Sequence, residues 1–234
     1  MLKLYRVKFP LLFLIVGILG FKQAEAQNSF KENYVAGYKL KLVANFWEPY
    51  TGANLQKSGI ASNIVLSTLS SAGIEATIDV VPWARAYKMV KEGKADGIVA
   101  IWHTQERAEH ILFSHSYLKN NLVLLKSVDR NINYDGLGSL DKLIIGLGRG
   151  YDYHQSIMNY HELDKVYFTR VEHAIEMLYK GRIDVLLTDK KIAQFHINNS
   201  SNLALSQELD FIPNSVFKLP LYFGMSKNIN IQKR

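Results

Sequence analysis

Two side chains of opposite charge stand where the sequence predicts that buried strands end. Arg107 lies on a polar turn a few residues after the apolar run Gly97–Ile101, and Asp189 lies at the end of a predicted buried strand over 181–189. A planar guanidinium donates two parallel hydrogen bonds to one carboxylate, so Arg107 is suited to an anionic group. Ligands of open α/β sheets bind beyond the carboxyl ends of the strands, which makes Arg107 a candidate binding residue. For Asp189, the residues by themselves favour the N-cap of a helix over 190–197.

The three tryptophans of the chain occupy similar positions. Trp47 belongs to a W-x-P-Y turn after a predicted strand over 39–44, Trp83 follows Pro82 at a helix start, and Trp102 follows Gly97–Ile101. Single aromatic side chains usually pack in the core. Trp47 is nevertheless predicted to face a ligand, since loops at strand ends line the ligand crevice. We expect Trp47 and Trp83 to flank the ligand, with Trp102 nearby.

Several kinds of chemistry lack their usual residues. The seven histidines form no H-x-x-x-H pair, and the chain has no cysteine, so the sequence predicts neither metal site nor disulfide. The glycines of residues 146–150 have G-x-G-x-G spacing, which differs from the G-x-G-x-x-G of dinucleotide-binding turns. This turn, with a helix predicted over 151–160, is expected to meet an anionic group instead. No nucleophile elbow or P-loop is present, and we expect no catalysis and no cofactor.

The elements that must position these residues alternate along the chain. Residues 39–44, 76–80 and 97–101 are predicted strands, and helices over 60–72 and 82–92 separate them. Thr104 is a predicted N-cap after the third strand. This β-α-β-α-β order is typical of an open α/β sheet. Further strands are predicted at 121–126, 143–147, 181–189 and 219–226, and Thr169 and Glu172 have the spacing of a capping box.

The N-terminus carries an export signal. Lys3, Arg6 and Lys8 precede a short apolar segment over 11–21, and Ala24-Glu25-Ala26 fits an A-x-A cleavage site. These features predict a signal peptide over residues 1–26, with cleavage after Ala26 and a periplasmic protein. A membrane anchor is the alternative. The net charge of the whole chain, +7, is spread without a long run of like charges, so no nucleic-acid partner is indicated.

Two separated motifs resemble a known family. Gly93, Lys94, Asp96 and Ile98, followed by Thr104, Arg107, Phe113 and Ser114, are similar to the first lobe of periplasmic solute-binding proteins of family 3, the polar amino-acid type. The opening PWARA at 82–86 resembles one branch of that family, and A-x-x-x-L-x-x-G-R-x-D at 174–184, ending four residues before Thr188-Asp189, resembles its second lobe. The resemblance implies a two-lobed α/β fold, the type 2 periplasmic-binding-protein-like fold, with a ligand cleft between the lobes.

The resemblance also implies roles and boundaries. Asp189 matches the position that receives the ligand's ammonium, and Trp47 matches a ligand-contacting aromatic residue. Tyr151 stands where relatives have a hydroxyl donor. Lobe 1 is expected over 27–122 with 222–234 returning to it, and lobe 2 over 123–221. Relatives continue with one or more helices after the return strand, so we expect lobe 1 to lack these helices or to be completed in another way.

The predicted function is binding of a small polar solute in the periplasm, an amino acid or related zwitterion, for delivery to an ABC-type transporter. The expected partners are this small molecule and an inner-membrane permease, and the protein is expected to be a monomer and not an enzyme. Two alternatives stay open. One is a periplasmic enzyme of the same fold, similar to dehydratases of cyclic amino acids, for which Glu48 is the spare carboxylate. The other is a sensory or degenerate ligand-binding module.

Overall fold

The computed structural model describes residues 39–228. The predicted signal peptide and its cleavage site lie outside the described residues. The strands are β1 (Leu40–Ala44), β2 (Ala76–Val80), β3 (Gly97–Ile101), β4 (Ile111–Phe113), β5 (Leu118–Ser127), β6 (Ile144–Gly148), β7 (Asp164–Phe168), β8 (Val185–Asp189), β9 (Leu209–Phe211) and β10 (Phe217–Ser226). The helices are α1 (Ile60–Ser71), α2 (Trp83–Lys91), α3 (Gln105–His110), α4 (Gln155–Met158), α5 (Val171–Tyr179), α6 (Lys190–Asn198) and α7 (Leu205–Glu208), with short 3-10 turns at Gln56–Ser58 and Leu137–Leu140.

The chain divides into two compact units. Within the described residues, the first unit contains 39–46, 50–118 and 221–228, and the second contains Trp47–Pro49 and Lys119–Pro220. The W-x-P part of the turn after β1 therefore groups with the second unit, although it follows a strand of the first.

The first unit is built on parallel strands. Its sheet has the order β2-β1-β3-β10, with β4 also paired to β10. Strand β1 runs parallel to β2 and β3, and β10 runs antiparallel to β3. All five residues of β3 are buried, which agrees with its uninterrupted apolar sequence. The predicted α/β class and the β-α-β-α-β order of this part of the chain are confirmed.

Helix α2 covers this sheet through its apolar side. Ala86 and Val90 of α2 are buried in one cluster with Val43 of β1 and Ile98 and Ile101 of β3. Gly93 follows the helix with a φ of 70°, the left-handed conformation in which glycine commonly ends a helix. The predicted end of this helix is therefore confirmed.

The two residues that follow β10 cap two helices of the first unit. The Lys227 ammonium donates to the Ala108 carbonyl of α3 at 2.6 Å, and the Asn228 side chain donates to the Lys91 carbonyl of α2 at 2.8 Å. Carbonyl groups in the last turn of a helix lack partners within the helix, so these side chains satisfy acceptors that would otherwise depend on water.

The second unit has its own sheet. Its strand order is β5-β8-β6-β7, and β9 also pairs with β5. Strand β6 runs parallel to β7 and β8, whereas β5 runs antiparallel to β8. Helices α5 and α6 follow β7 and β8 in the chain, so this unit repeats the strand–helix alternation of the first.

Two predictions for the second unit are wrong. The helix expected over 151–160 is the single turn α4, Gln155–Met158, because the residues before it are held over the end of β6: the Gly148 N–H donates to the Tyr153 hydroxyl at 2.8 Å. The capping box at Thr169 does not form. The N-cap of α5 is Arg170, which makes no side-chain cap, and Glu172 pairs with the Arg170 guanidinium at 2.9 Å instead.

Candidate functional site

Arg107 is positioned by the turn that follows β3. The Thr104 hydroxyl accepts a hydrogen bond from the Arg107 N–H at 3.1 Å, which confirms Thr104 as the N-cap of α3. This cap begins the helix at Gln105 and places Arg107 in its first turn. The position of Arg107 in the first unit therefore follows from the buried strand, the polar turn and the capping hydroxyl.

Three groups of the first unit hold the Arg107 side chain. Its Nη1 donates to the Trp102 carbonyl at 2.9 Å, and its guanidinium carbon lies 4.8 Å from the centre of the Trp83 ring and 5.8 Å from that of Tyr87. Trp83 and Tyr87 are one turn apart on α2, and their rings stack at 6.0 Å with 11° between the planes. A guanidinium over aromatic faces is stabilised by the ring electrons, so Arg107 is held in a defined plane.

The surroundings of Arg107 exclude most solvent. The residue is only 5% exposed, and Trp102 is 7% exposed. The hydrogen bond to Trp102 uses one of the five N–H donors of the guanidinium. Of the residues predicted from the sequence, the structure thus brings together Arg107, Trp83 and Trp102 in the first unit.

A second aromatic group lies in the second unit. The rings of Trp47 and Tyr151 meet edge to face at 6.2 Å, and the Tyr153 ring lies 6.1 Å from that of Tyr151. Trp47 is buried, whereas Tyr151 is partly exposed. Gly148 makes room for this arrangement, because a Cβ there would lie 2.6 Å from a carbon of the Tyr151 ring. Burial, with a smaller contribution from the Glu48 charge, raises the pKa of the Tyr151 hydroxyl, so it is a protonated donor at neutral pH.

The glycine-rich turn at 148–151 makes hydrogen bonds, within the turn and to β7, that the sequence did not predict. The Arg149 N–H donates to the Phe168 carbonyl at 2.7 Å, and the Tyr151 N–H donates to the Gly148 carbonyl at 3.2 Å. Since α4 begins only at Gln155, no helix starts directly behind the turn. The prediction that a helix starts directly behind the turn is therefore wrong.

Asp189 caps α6. Its Oδ1 accepts from the N–H groups of Lys191 at 2.9 Å and Ile192 at 3.2 Å, and its Oδ2 accepts from the Asn121 N–H at 2.9 Å and the Asn120 amide at 3.2 Å. Asp189 is 2% exposed. The helix-cap interpretation of this residue is confirmed, and four donors together with the positive end of a helix stabilise its charge.

A group of charged side chains in the second unit was missed by sequence reasoning. Glu172 pairs with Arg170, and the His196 Nδ1 lies 3.9 Å from the same carboxylate. The charge of Glu48 acts to raise the pKa values of Arg170, His196 and the Tyr151 hydroxyl. No spacing in the sequence relates Glu48 to residues more than a hundred positions later, so this group depends on the tertiary fold.

Burial and pairing shift the pKa values of this group. Burial lowers the pKa of His196, although the charges of Glu172 and Glu48 oppose that change, so the neutral imidazole is favoured. Partial burial is the largest single influence on the pKa of Glu172 and acts to raise it. The hydrogen bond from Arg170, a backbone hydrogen bond and the charges of His196 and Arg170 together outweigh burial, so the pKa is lowered. At pH 7 the carboxylate of Glu172 is therefore ionised and its imidazole neighbour is not.

Two kinds of feature are absent from the part of the chain that the structure describes. Between residues 39 and 228, no three His, Asp or Glu side chains are grouped so that they could hold a metal ion. Over the same range, no helix has the length and apolar character that a membrane span requires.

Several solved structures share the fold of this chain. Holo ArgBP from T. maritima aligns with a TM-score of 0.67 at 17% identity, over 81% of this chain and 83% of that chain. The GluR0 ligand-binding core from Nostoc punctiforme, in complex with (L)-glutamate, aligns with a TM-score of 0.66 at 17% identity, over 83% and 88%. A histidine kinase sensor domain with similarity to periplasmic binding proteins aligns with a TM-score of 0.70 at 16% identity, over 80% and 82%. The fold is the type 2 periplasmic-binding-protein fold, as predicted.

A family model agrees with this assignment. The model of the bacterial extracellular solute-binding proteins, family 3, matches residues 42–133. This range begins within β1, contains β2 to β5 and includes Arg107 and all three tryptophans. The resemblance to solute-binding proteins of family 3 is thereby confirmed over this part of the chain.

Proposed function

We propose that this protein binds a small polar solute, an amino acid or a related zwitterion, and delivers it to an ABC-type transporter. The observation that carries the proposal is the Arg107 guanidinium, buried and fixed between the Trp102 carbonyl and the Trp83 ring in a solute-binding fold. Holding a side chain in the geometry it needs for binding lowers the entropy cost of capturing a ligand.

The chemistry of Arg107 favours a carboxylate. A guanidinium is permanently charged and its planar fork matches the two oxygens of a carboxylate. In surroundings that exclude water, such a charge-assisted pair is stronger than on an exposed surface. Trp83 supports this role by covering one face of the guanidinium, which fixes the plane in which its N–H groups point.

The other proposed contacts belong to the second unit. Trp47 and Tyr151 offer aromatic surface and a phenol donor, and the family resemblance assigns the ligand's ammonium to Asp189. This last assignment is the most demanding, because the Asp189 carboxylate already accepts four hydrogen bonds. An ammonium would have to displace one of these donors or share an oxygen lone pair with it.

The proposal includes export and transport. The leader over 1–26 supports delivery to the periplasm, with 27–122 and 222–234 forming lobe 1 and 123–221 forming lobe 2 of a monomer. A cognate membrane permease would then receive the loaded protein. We propose no catalytic activity, since binding and sensing describe the structurally similar proteins named above.

A sensory role is the second candidate. It is favoured by the similarity to a histidine kinase sensor domain, which aligns over 80% of this chain. Both candidates require ligand binding, and they differ in what the loaded protein contacts. Genes for permease and ATPase subunits beside this one favour transport, whereas an isolated gene favours sensing.

A thermal-shift screen of the mature protein tests ligand binding directly. Amino acids and small peptides are added one at a time, each at about 100 times the dissociation constant sought. Binding to the native state alone then raises the unfolding free energy by about 2.7 kcal/mol. We expect one group of related zwitterions to raise the melting temperature. A flat response to the whole panel would contradict the proposed ligand class.

A further inference from the structure

We propose that the end of β10 positions the Arg107 guanidinium for its ligand. Three consecutive residues carry out this role, and we call them the clamp: Ser226, Lys227 and Asn228. Arg107 and the clamp lie in the same compact unit. The inference rests on the proposed function, in which Arg107 binds the carboxylate of the solute, and it assigns a part in that binding to a different element of the fold.

Arg107 and the rings that cover it belong to two helices. Arg107 lies on α3, whereas Trp83 and Tyr87 lie on α2. The distance of 4.8 Å between the guanidinium carbon and the centre of the Trp83 ring therefore depends on how the two helices are held. Helix α3 has only six residues, and helices this short are not stable by themselves. Its position must come from contacts outside the helix.

The clamp binds the C-terminal end of α2. Carbonyl groups in the last turn of a helix lack partners within the helix. The Ser226 hydroxyl donates to the Val90 carbonyl at 2.6 Å, and Ser226 is only 3% exposed, so this bond is shielded from water. The Asn228 side chain donates to the Lys91 carbonyl at 2.8 Å. The Asn228 N–H donates to the Ser226 hydroxyl at 3.1 Å, which fixes these two residues of the clamp to each other.

The clamp also binds the C-terminal end of α3. The Lys227 N–H donates to the His110 carbonyl at 2.9 Å, and the Lys227 ammonium donates to the Ala108 carbonyl at 2.6 Å. Three consecutive residues therefore join the ends of the two helices that carry the guanidinium and its aromatic partners.

A short path of bonds connects the main chain of Arg107 to α2. The Ile111 N–H, directly after α3, donates to the Arg107 carbonyl. Ile111 is paired with Ser226 between β4 and β10, and the Ser226 hydroxyl reaches Val90 of α2. Releasing the clamp should therefore change the position of the guanidinium relative to the Trp83 ring. A guanidinium already held in its binding geometry captures a carboxylate at lower entropy cost than a mobile one.

The G-K-x-D motif at 93–96 gives the clamp space and a further bond. A Cβ at Gly93 would lie 2.4 Å from the Asn228 carbonyl oxygen, which is closer than packed atoms approach. The Asp96 carbonyl accepts from the Ser226 N–H at 2.9 Å. The glycine of this motif thus ends α2 and also admits the clamp, so the motif contributes to the position of Arg107 without binding the solute.

Nuclear magnetic resonance of the mature protein without added solute tests the positioning directly. The Arg107 Nε–H resonance is assigned from its loss in Arg107→Lys, and the ring current of Trp83 shifts it by an amount that depends on distance and angle. Ser226→Ala and Lys227→Met should move this resonance toward the position of exposed arginines. Lys227→Arg keeps a charged donor and should leave it near the wild-type position. The control Thr68→Val removes a hydroxyl that donates to a carbonyl of α1 at 2.8 Å, and the resonance should not move.

Calorimetric titration with L-arginine, L-glutamate and L-phenylalanine measures the consequence for binding. For each compound that wild type binds, Ser226→Ala and Lys227→Met should weaken the affinity by roughly twofold to tenfold, the equivalent of one hydrogen bond. Thr68→Val should bind as wild type does. Lys227 is exposed, so Lys227→Met should fold and decide the question even if the buried Ser226→Ala substitution prevents folding.

The possible outcomes separate this inference from the proposed function. An Arg107 resonance that keeps its wild-type position in both clamp variants would overturn the inference and leave the clamp as a pair of helix caps. A shifted resonance with unchanged affinity would also overturn it, because the position of Arg107 would then not matter for binding. Binding of none of the three amino acids by wild type would contradict the proposed function, and the resonance would still show whether the clamp positions Arg107.

Discussion

The carboxylate of Asp96 accepts a hydrogen bond from the Lys41 N–H at 2.7 Å, and the Asp96 N–H donates to the Lys41 carbonyl at the same distance. Asp96 is 1% exposed and directly precedes β3, while Lys41 lies in β1. The aspartate of the G-K-x-D motif therefore joins two neighbouring strands of the first unit. Within the G-K-x-D motif of this chain, Asp96 has a structural role.

Asp96→Ala should destabilise the first unit by about 1–3 kcal/mol, since it leaves a backbone N–H without its acceptor. Asp96→Asn should cost less, because the amide oxygen can still accept. Denaturant unfolding measures both, with Glu75→Ala as the control, since the Glu75 side chain is 80% exposed. If Asp96→Ala were no less stable than the control, the bond between the strands would contribute nothing.

Gly148→Ala should displace the Tyr151 ring. A Cβ at this position would lie 2.6–2.9 Å from three carbons of the ring, closer than packed atoms approach. Such overpacking typically lowers the unfolding free energy by about 1–3 kcal/mol. Trp47 contacts the Tyr151 ring, so its fluorescence should also change. Gly138→Ala is the matched control, because the nearest atom to its Cβ is 3.9 Å away. Identical spectra and stability for the two variants would show that Tyr151 does not lie on Gly148.

The His196 imidazole should make the stability of the second unit depend on pH. Burial lowers its folded-state pKa below the ordinary value of 6.5. As the pH falls, His196 therefore binds a proton in the unfolded chain before it does so in the folded chain. The unfolding free energy keeps its full value above about pH 6.5 and decreases as the pH falls from 6.5 to the lower folded-state pKa. The unfolding free energy of His196→Gln should depend less on pH in this window than that of wild type. The control, His173→Gln, alters an exposed histidine of α5, and its unfolding free energy should depend on pH as that of wild type does. The same pH dependence in His196→Gln would contradict the account.

Local sequence signals predicted much of the first unit. The apolar run Gly97–Ile101, the Thr104 cap and the turn at Gly93 each depend on neighbouring residues, and each has its predicted place. The family motifs added the two-lobed fold, which the structural similarities confirm. Signals of this kind are reliable because strand burial, capping and helix termination are decided within a few residues.

The second unit was predicted less well because tertiary contacts decide its local structure. A helix was predicted over 151–160, yet the hydrogen bond between Gly148 and Tyr153 keeps residues 151–154 out of a helix. Thr169 has the spacing of a cap, but Arg170 and Glu172 pair with each other instead. The four partners of Asp189 include Asn120 and Asn121 from β5, and no sequence pattern relates residues so far apart.

The central claim is tested most directly at Arg107. Calorimetric titration of Arg107→Ala with the best solute of the thermal-shift screen should show a loss of about 2–5 kcal/mol, roughly 30-fold to a few thousand-fold in affinity. Arg107→Lys keeps a cation beside Trp83 but lacks the planar fork, so it should also bind weakly while its melting temperature stays closer to that of wild type. Arg85→Ala, on the exposed side of α2, is the control and should bind normally. Unchanged affinity in Arg107→Ala, with only a lower melting temperature, would show that Arg107 is a packing residue and would contradict the amino-acid-binding account.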